Sequence, residues 1–178
     1  MNSFIKSAVA KATKTLNKDL DPEIDNKLVD LIQTHGGLAI AAAWIPIGGL
    51  DVAALTTNVW TMYIRINKLL GISFSENMMK SIGSAVMANL ASNLALTGVA
   101  SALKFLPGVG TIVGAAAMSA TVYGTTMGAA WIYLMAIINW FNKGQNKGNL
   151  EMCVNEVIAQ NKEQIDDIIK DEKKNYRS

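Results

Sequence analysis

The chain has 178 residues, 51% hydrophobic and 17% charged, with 14 glycines, one cysteine and a net charge of +2, where roughly 25% charged is usual for a soluble domain. That length suits one domain with a real core, the near-neutral charge gives no general attraction to nucleic acid, and a lone cysteine excludes an intramolecular disulfide or a cysteine-rich metal site and fits a reducing compartment. The charge is unevenly spread: ten charged residues in 1–30, fourteen in 143–178, and only Asp51, Arg65, Lys68, Glu76, Lys80 and Lys104 in 31–142.

In chain order, the spacing predicts a single all-α domain over residues 1–178. Residues 1–20 hold a short amphipathic helix over 3–18, with Phe4, Ile5, Ala8, Val9, Ala12 and Leu16 on one face and Lys6, Lys11, Lys14 and Lys18 largely elsewhere. Such a basic helix either lies on an anionic membrane surface or docks on its own domain. No apolar stretch of signal-peptide length precedes its lysines, so no cleaved export signal is expected. Residues 21–142 form an apolar helical core. Asp21-Pro22-Glu23 starts a helix, expected to stop near Thr34 at His35-Gly36-Gly37. The apolar LAIAAAW segment then breaks at Pro46, and Gly48-Gly49 leads into a helix from Leu50 to Leu70 closed by Gly71. A helix over 75–103 follows, then a turn at Pro107-Gly108, then a long helix over 111–141. Residues 143–149 are a linker or turn, and 150–170 a charged last helix with a frayed end.

Two entry segments look alike, IPIGGLDVAA and LPGVGTIVGAA, with Pro46 and Gly49 superposing on Pro107 and Gly110. Gly108, Gly110 and Gly114 lack the Lys-Ser/Thr and the preceding strand that a phosphate loop needs. Their spacing suits helix packing better. Gly110, Ala117 and Gly124, and likewise Gly114, Thr121 and Gly128, recur every seven residues and form a smooth strip for close approach. The 75–103 helix supplies Gly83, Ala88, Ala91, Ser92, Ala95 and Gly98 against it, as a small-residue-rich helical hairpin.

Candidate chemistry is sparse. Asp51, Asn58 and Arg65 stand at seven-residue spacing on one polar stripe, readable as an ion path or as ordinary helix-end charges. His35 reads as a helix C-cap, and Cys153 as a structural thiol with no cation beside it. Glu163, Asp166, Asp167, Asp171 and Glu172 read as a solvated acidic face. No catalytic constellation, metal site or cofactor motif is recognisable.

The segments WIPIGGLDVAALTTNVWTMYIRINKLLGISFSE and ALKFLPGVGTIVGAAAMSATVYGTTMGAAWIYL resemble the hydrophobic helical domain of unknown function 697, a family commonly fused to or encoded with bacterial GTPases of the Era and dynamin-like sort. Pro46, Gly49, Asp51, Arg65, Leu70 and Gly71 match its first pattern. Lys104, Phe105, Leu106, Pro107, Gly108, Gly110 and Gly114 match its second, over residues 40–140 in all. The resemblance implies membrane association and partnership with a GTPase, here in trans because the chain holds no GTPase domain.

Two solvents stay open. Residues 81–103 and 111–141 are long enough to cross a bilayer, with Trp131, Tyr133, Trp140 and Phe141 placed as an interfacial belt. The leading expectation is a non-catalytic protein associated with the cytoplasmic membrane from its cytoplasmic side. Membrane lipid, a GTPase in trans and a homo-oligomer are its expected partners. In a permeabilising assembly Asn89, Asn93, Thr125 and Thr126 would line the pore. The alternative is a soluble, cytoplasmic helical bundle for protein interaction or apolar-ligand binding.

Overall fold

One helix without a charge on any face sets the arrangement of the others. The computed structural model describes residues 3–19, 21–43, 50–95, 109–145 and 150–177. Among these are seven helices and no strand: α1 (Ser3–Thr15), α2 (Ile24–Ala43), α3 (Leu50–Leu70), α4 (Glu76–Ala95), α5 (Val109–Asn142), α6 (Leu150–Gln160) and α7 (Lys162–Arg177). The uncharged α5 touches all six others, most extensively α7 and α2. From Ala129 to Leu134 every residue of α5 is buried. An amphipathic helix needs shielding on one side only; α5 needs it all round.

The local signals explain most element ends. Ser75 caps α4 by accepting the Met78 N–H at 3.3 Å, and Glu76 in the first turn favours the helix dipole. Gly71 closes α3 at φ +70°. The Ile72 N–H reaches back to the Asn67 carbonyl at 2.9 Å, the wide bond of a glycine-terminated helix. Asn142 ends α5, and the Gln145 N–H bonds the Trp140 carbonyl at 3.1 Å.

Four expectations need correction. His35-Gly36-Gly37 does not stop α2, which runs on to Ala43. Gly36 serves packing instead: a Cβ there would lie 2.6 Å from both Met127 Cε and Tyr123 Cε2, so its absence lets α2 approach α5. The last helix is two helices, interrupted at Asn161, whose side-chain amide donates to the Val157 carbonyl at 2.9 Å and competes with the backbone there. Its C-terminal end is not frayed. α7 continues to Arg177, Glu172 is buried rather than solvated, and Tyr176 stacks on Tyr123 with ring centroids 5.6 Å apart.

α1 docks on α2 and α5 through Ile5, Ala8, Val9 and Ala12, and the Thr13 hydroxyl donates to the Asp25 carboxylate at 2.7 Å. Of its apolar face, Phe4 stays 37% exposed.

The glycines of the expected hairpin meet other helices. Gly83 of α4 faces α3, where a Cβ would lie 2.8 Å from Trp60 Cβ. Gly124 and Gly128 of α5 face α7: added Cβ atoms would lie 2.7 Å from the Ile169 carbonyl oxygen and 3.0 Å from Ile169 Cγ1. Thr121 is buried on the same helix. Gly110 and Gly114 are helical in α5, as is Ala117, their surroundings outside the described residues. The hairpin turn, with Lys104, Pro107 and Gly108, lies outside the described residues, as do Pro46 and Gly49.

These glycines separate packing from helix propensity. Gly124→Ala, set against a backbone oxygen that cannot swing away, is expected to destabilise by about 1–3 kcal/mol. Gly37→Ala, on α2 with no atom within 4 Å, is expected to stabilise by roughly 0.5–1 kcal/mol. Urea unfolding of the two variants checks both signs.

Candidate functional site

Two clusters of polar side chains join α3 to its neighbours, one buried and one open. The buried one joins α3, α4 and α5. Tyr63 and Tyr133 stack nearly parallel, centroids 4.0 Å apart and planes at 10°. The Tyr63 hydroxyl donates to the Ala129 carbonyl at 3.0 Å, and the Tyr133 hydroxyl to Asn67 Oδ1 at 2.8 Å. The Asn67 amide donates to Met79 Sδ at 3.1 Å, and the Tyr133 oxygen lies 3.0 Å from the same sulfur. Burial pushes both phenols well above their ordinary pKa, so they remain protonated donors. A neutral, mutually satisfied cluster of this kind orients three helices and offers no reactive group.

The open place is a groove of about 530 Å³ between α2 and α3, lined by His35, Leu38, Ala53, Ala54, Thr57, Asn58, Thr61 and Arg65. His35 is 1% exposed and forms its floor. Its Nδ1 lies 2.7 Å from Asn58 Oδ1, while the Asn58 amide donates to the His35 carbonyl at 2.8 Å. Because that amide end is committed to a carbonyl, Asn58 Oδ1 is the acceptor and His35 Nδ1 carries the proton. Its Nε2 is then a lone pair turned toward Arg65 Nη1, 3.5 Å away. Burial, and secondarily the Arg65 charge, lower the His35 pKa against the opposing Asn58 hydrogen bond.

The structure therefore brings together Asn58 and Arg65 of the expected polar stripe and adds His35, which is mid-helix and no cap. Asp51 belongs to α3 by its backbone; its side chain lies outside the described ones. Beside the His35 lone pair, Asn58 and Arg65 supply no hydroxyl, thiol or carboxylate. Among the described residues no three acidic, histidine or cysteine side chains group as metal ligands. Cys153 does have a cation near it, Lys143, but burial dominates and raises the thiol pKa. The tyrosine cluster went unread in the sequence: Tyr63 and Asn67 share a helix face at i, i+4, but Tyr133 and Met79 join them only by tertiary contact.

The aromatic residues expected at a membrane interface are inside the protein: Trp131, Tyr133 and Trp140 are buried, and Phe141 half-buried. Thr125 and Thr126 are buried too, the Thr126 hydroxyl donating to the Val122 carbonyl at 2.8 Å. Compared with protein-family models, with curated proteins and with solved structures, the chain matches none.

Two outcomes follow from this geometry. The folded-state pKa of His35 is depressed below 6.5, so the unfolded chain binds the extra proton first on acidification. Stability is therefore fully present above about pH 6.5 and is lost as pH falls toward the folded-state pKa. Urea midpoints measured from pH 7.5 downward are expected to fall for the native chain, and less steeply for His35→Gln. Tyr133→Phe leaves the buried Asn67 short of a donor and is expected to cost about 1–3 kcal/mol in the same assay.

Proposed function

We propose that the protein is a non-catalytic helical bundle that works in solution by docking to other proteins. The observation carrying this reading is the enclosure of its most apolar helix. Ser119–Asn142 is 24 residues long and apolar enough to cross a membrane, yet 89% of its apolar window is buried by the rest of the chain. The helices around it expose mainly polar or small side chains, with Phe4, Leu38, Met152 and Tyr176 as scattered large exceptions among the described residues. On α4 the exposed positions among the described side chains are Glu76, Asn77, Lys80, Ser81, Ser84, Ala88 and Asn89, which would make a poor lipid-facing surface. The His35 ring, hydrogen-bonded to Asn58 and facing Arg65, has no carboxylate in its groove to orient it as a base, which supports docking over chemistry. A soluble bundle of this kind would reside in the cytoplasm, in keeping with its lone buried cysteine.

A second reading rests on the length and hydropathy of Ser119–Asn142 itself. On it, α1 and α7 swing away and α5 enters the bilayer, paired with α4 as a small-residue hairpin. The chain then serves as the membrane-facing partner of a GTPase in trans, or as a permeabilising assembly, as the resemblance at Pro46–Gly71 and Lys104–Gly114 implies. The enclosure of α5 favours the first reading, because unpacking it would expose most of the core at once.

Detergent-free fractionation tests the choice. The intact chain is expected in the soluble fraction, and it should not float with liposomes containing anionic lipid. Recovery in a carbonate-washed membrane pellet would overturn the solution reading in favour of the second.

A further inference from the structure

We infer that the α2–α3 groove is a binding site for a small monocarboxylate with an apolar body, its carboxylate held by Arg65 and its body lying along Leu38, Ala53 and Ala54. The site goes beyond the docking reading and does not rest on it.

Among the described residues lining the groove, Arg65 is the one charged side chain, and no Asp or Glu faces it there. Its side chain is exposed, and its one hydrogen-bond contact is with the unprotonated Nε2 of His35, at 3.5 Å. None of the ion pairs among the described residues involves it. A guanidinium carries five N–H donors arranged to grip both oxygens of a carboxylate. One long contact to an imidazole uses a single donor, and it turns the guanidinium over the groove without cancelling its charge. An uncompensated cation beside a concave surface is the complement of an anion.

The rest of the groove shows what the anion is attached to. Along α3 the lining runs from Ala53 and Ala54 through Thr57, Asn58 and Thr61 to Arg65, apolar at one end and cationic at the other. Leu38, 49% exposed, gives the same groove a large apolar side chain from α2. From Ala54 to Thr61, one turn before Arg65, is about 10 Å along the axis at 1.5 Å per residue, the length of a short acyl or aryl body. Thr61 can add a hydroxyl to the grip on the carboxylate. The groove's volume of about 530 Å³ falls among small-ligand sites, about 300–1,000 Å³, which likewise pair a mostly apolar lining with a few convergent polar groups. An acidic side chain of a docked protein would bring the same carboxylate with almost no apolar body, so the body tells the two sources apart.

Hexanoate, 1-hexanol and acetate test the site as the whole ligand, its body alone and its head alone, the last equivalent to an acidic side chain. Each is titrated into the full chain in detergent-free buffer at about pH 7.5 and followed by NMR. His35 is the only histidine in the sequence, so its ring signals report on the groove without ambiguity, and burial keeps the ring neutral at that pH. Hexanoate is expected to shift them, together with the amides of Leu38, Ala54 and Thr61, and to saturate with a Kd of about 1 mM or tighter. Hexanol and acetate should each bind at least about tenfold more weakly, and Arg65→Gln should weaken hexanoate by a similar factor. If Arg65→Gln loses its helical circular dichroism, the three probes on the native chain decide alone. No saturating shift with hexanoate, equal binding of hexanol, or hexanoate binding indifferent to a folded Arg65→Gln each overturn the site. Equal binding of acetate overturns it in favour of an acidic side chain on a docked protein. A soluble chain that ignores hexanoate loses the site and keeps the docking reading.

Discussion

The bundle depends on the burial of α5. A helix with no charge from Val109 to Asn142 has no face to present to water, so its surroundings must be supplied by the rest of the chain. At about 25 cal/mol per Å² of apolar surface, enclosing side chains such as Trp131, Ile132, Leu134 and Ile137 stabilises this fold substantially. The approach distances that enclosure needs are set by glycine. Gly36 lies on the α2 side, and Gly124 and Gly128 on the α7 side. Gly83 performs the same service one layer out, between α3 and α4, beside Lys80 poised 5.0 Å above the Trp60 ring.

Burial of this extent leaves the choice of neighbours weakly determined, because small apolar faces fit many others. The tyrosine cluster narrows that choice. Tyr63, Asn67, Met79 and Tyr133 have to meet in one arrangement for the asparagine amide and the two hydroxyls to find partners. A slip of one turn between α3 and α5 would leave buried polar groups unpaired. His35 and Asn58 act similarly between α2 and α3, their two hydrogen bonds running in opposite senses. Apolar burial drives the association of the helices, and these few polar contacts set how they align.

What could be read in advance was local. The C-terminal end of α3 was legible because Gly71 is a stop signal that acts on its own backbone. The start of α4 was legible from Ser75 and Glu76 for the same reason. His35-Gly36-Gly37 carried an equally strong stop signal and was misleading, since Gly36 answers to Tyr123 and Met127 nearly ninety residues away. Asn161 gave little warning, because an asparagine within a helix often does no more than face water. The seven-residue stripe of Asp51, Asn58 and Arg65 was visible. That His35 meets Asn58 and Arg65 was not, because only the packing of α2 on α3 brings it there. The glycine strip of α5 was visible as a surface for close approach, but its opposite number was misjudged. Small residues on α4 looked like the natural complement, whereas Gly124 and Gly128 receive the isoleucines of a helix that is charged on its other side.

That last pairing bears on how the protein is made. The glycine face of α5 is covered by Ile165 and Ile169, in the final helix of the chain. Synthesis runs from the amino terminus, so α5 is complete before any residue of α7 exists. At about 5–20 residues per second, the interval from Asn142 to Arg177 is roughly two to seven seconds. Throughout that time the chain carries a long uncharged helix lacking its outer wall, the kind of transiently exposed apolar surface that promotes aggregation. The last residues to be made are therefore those that complete the enclosure of the most apolar helix.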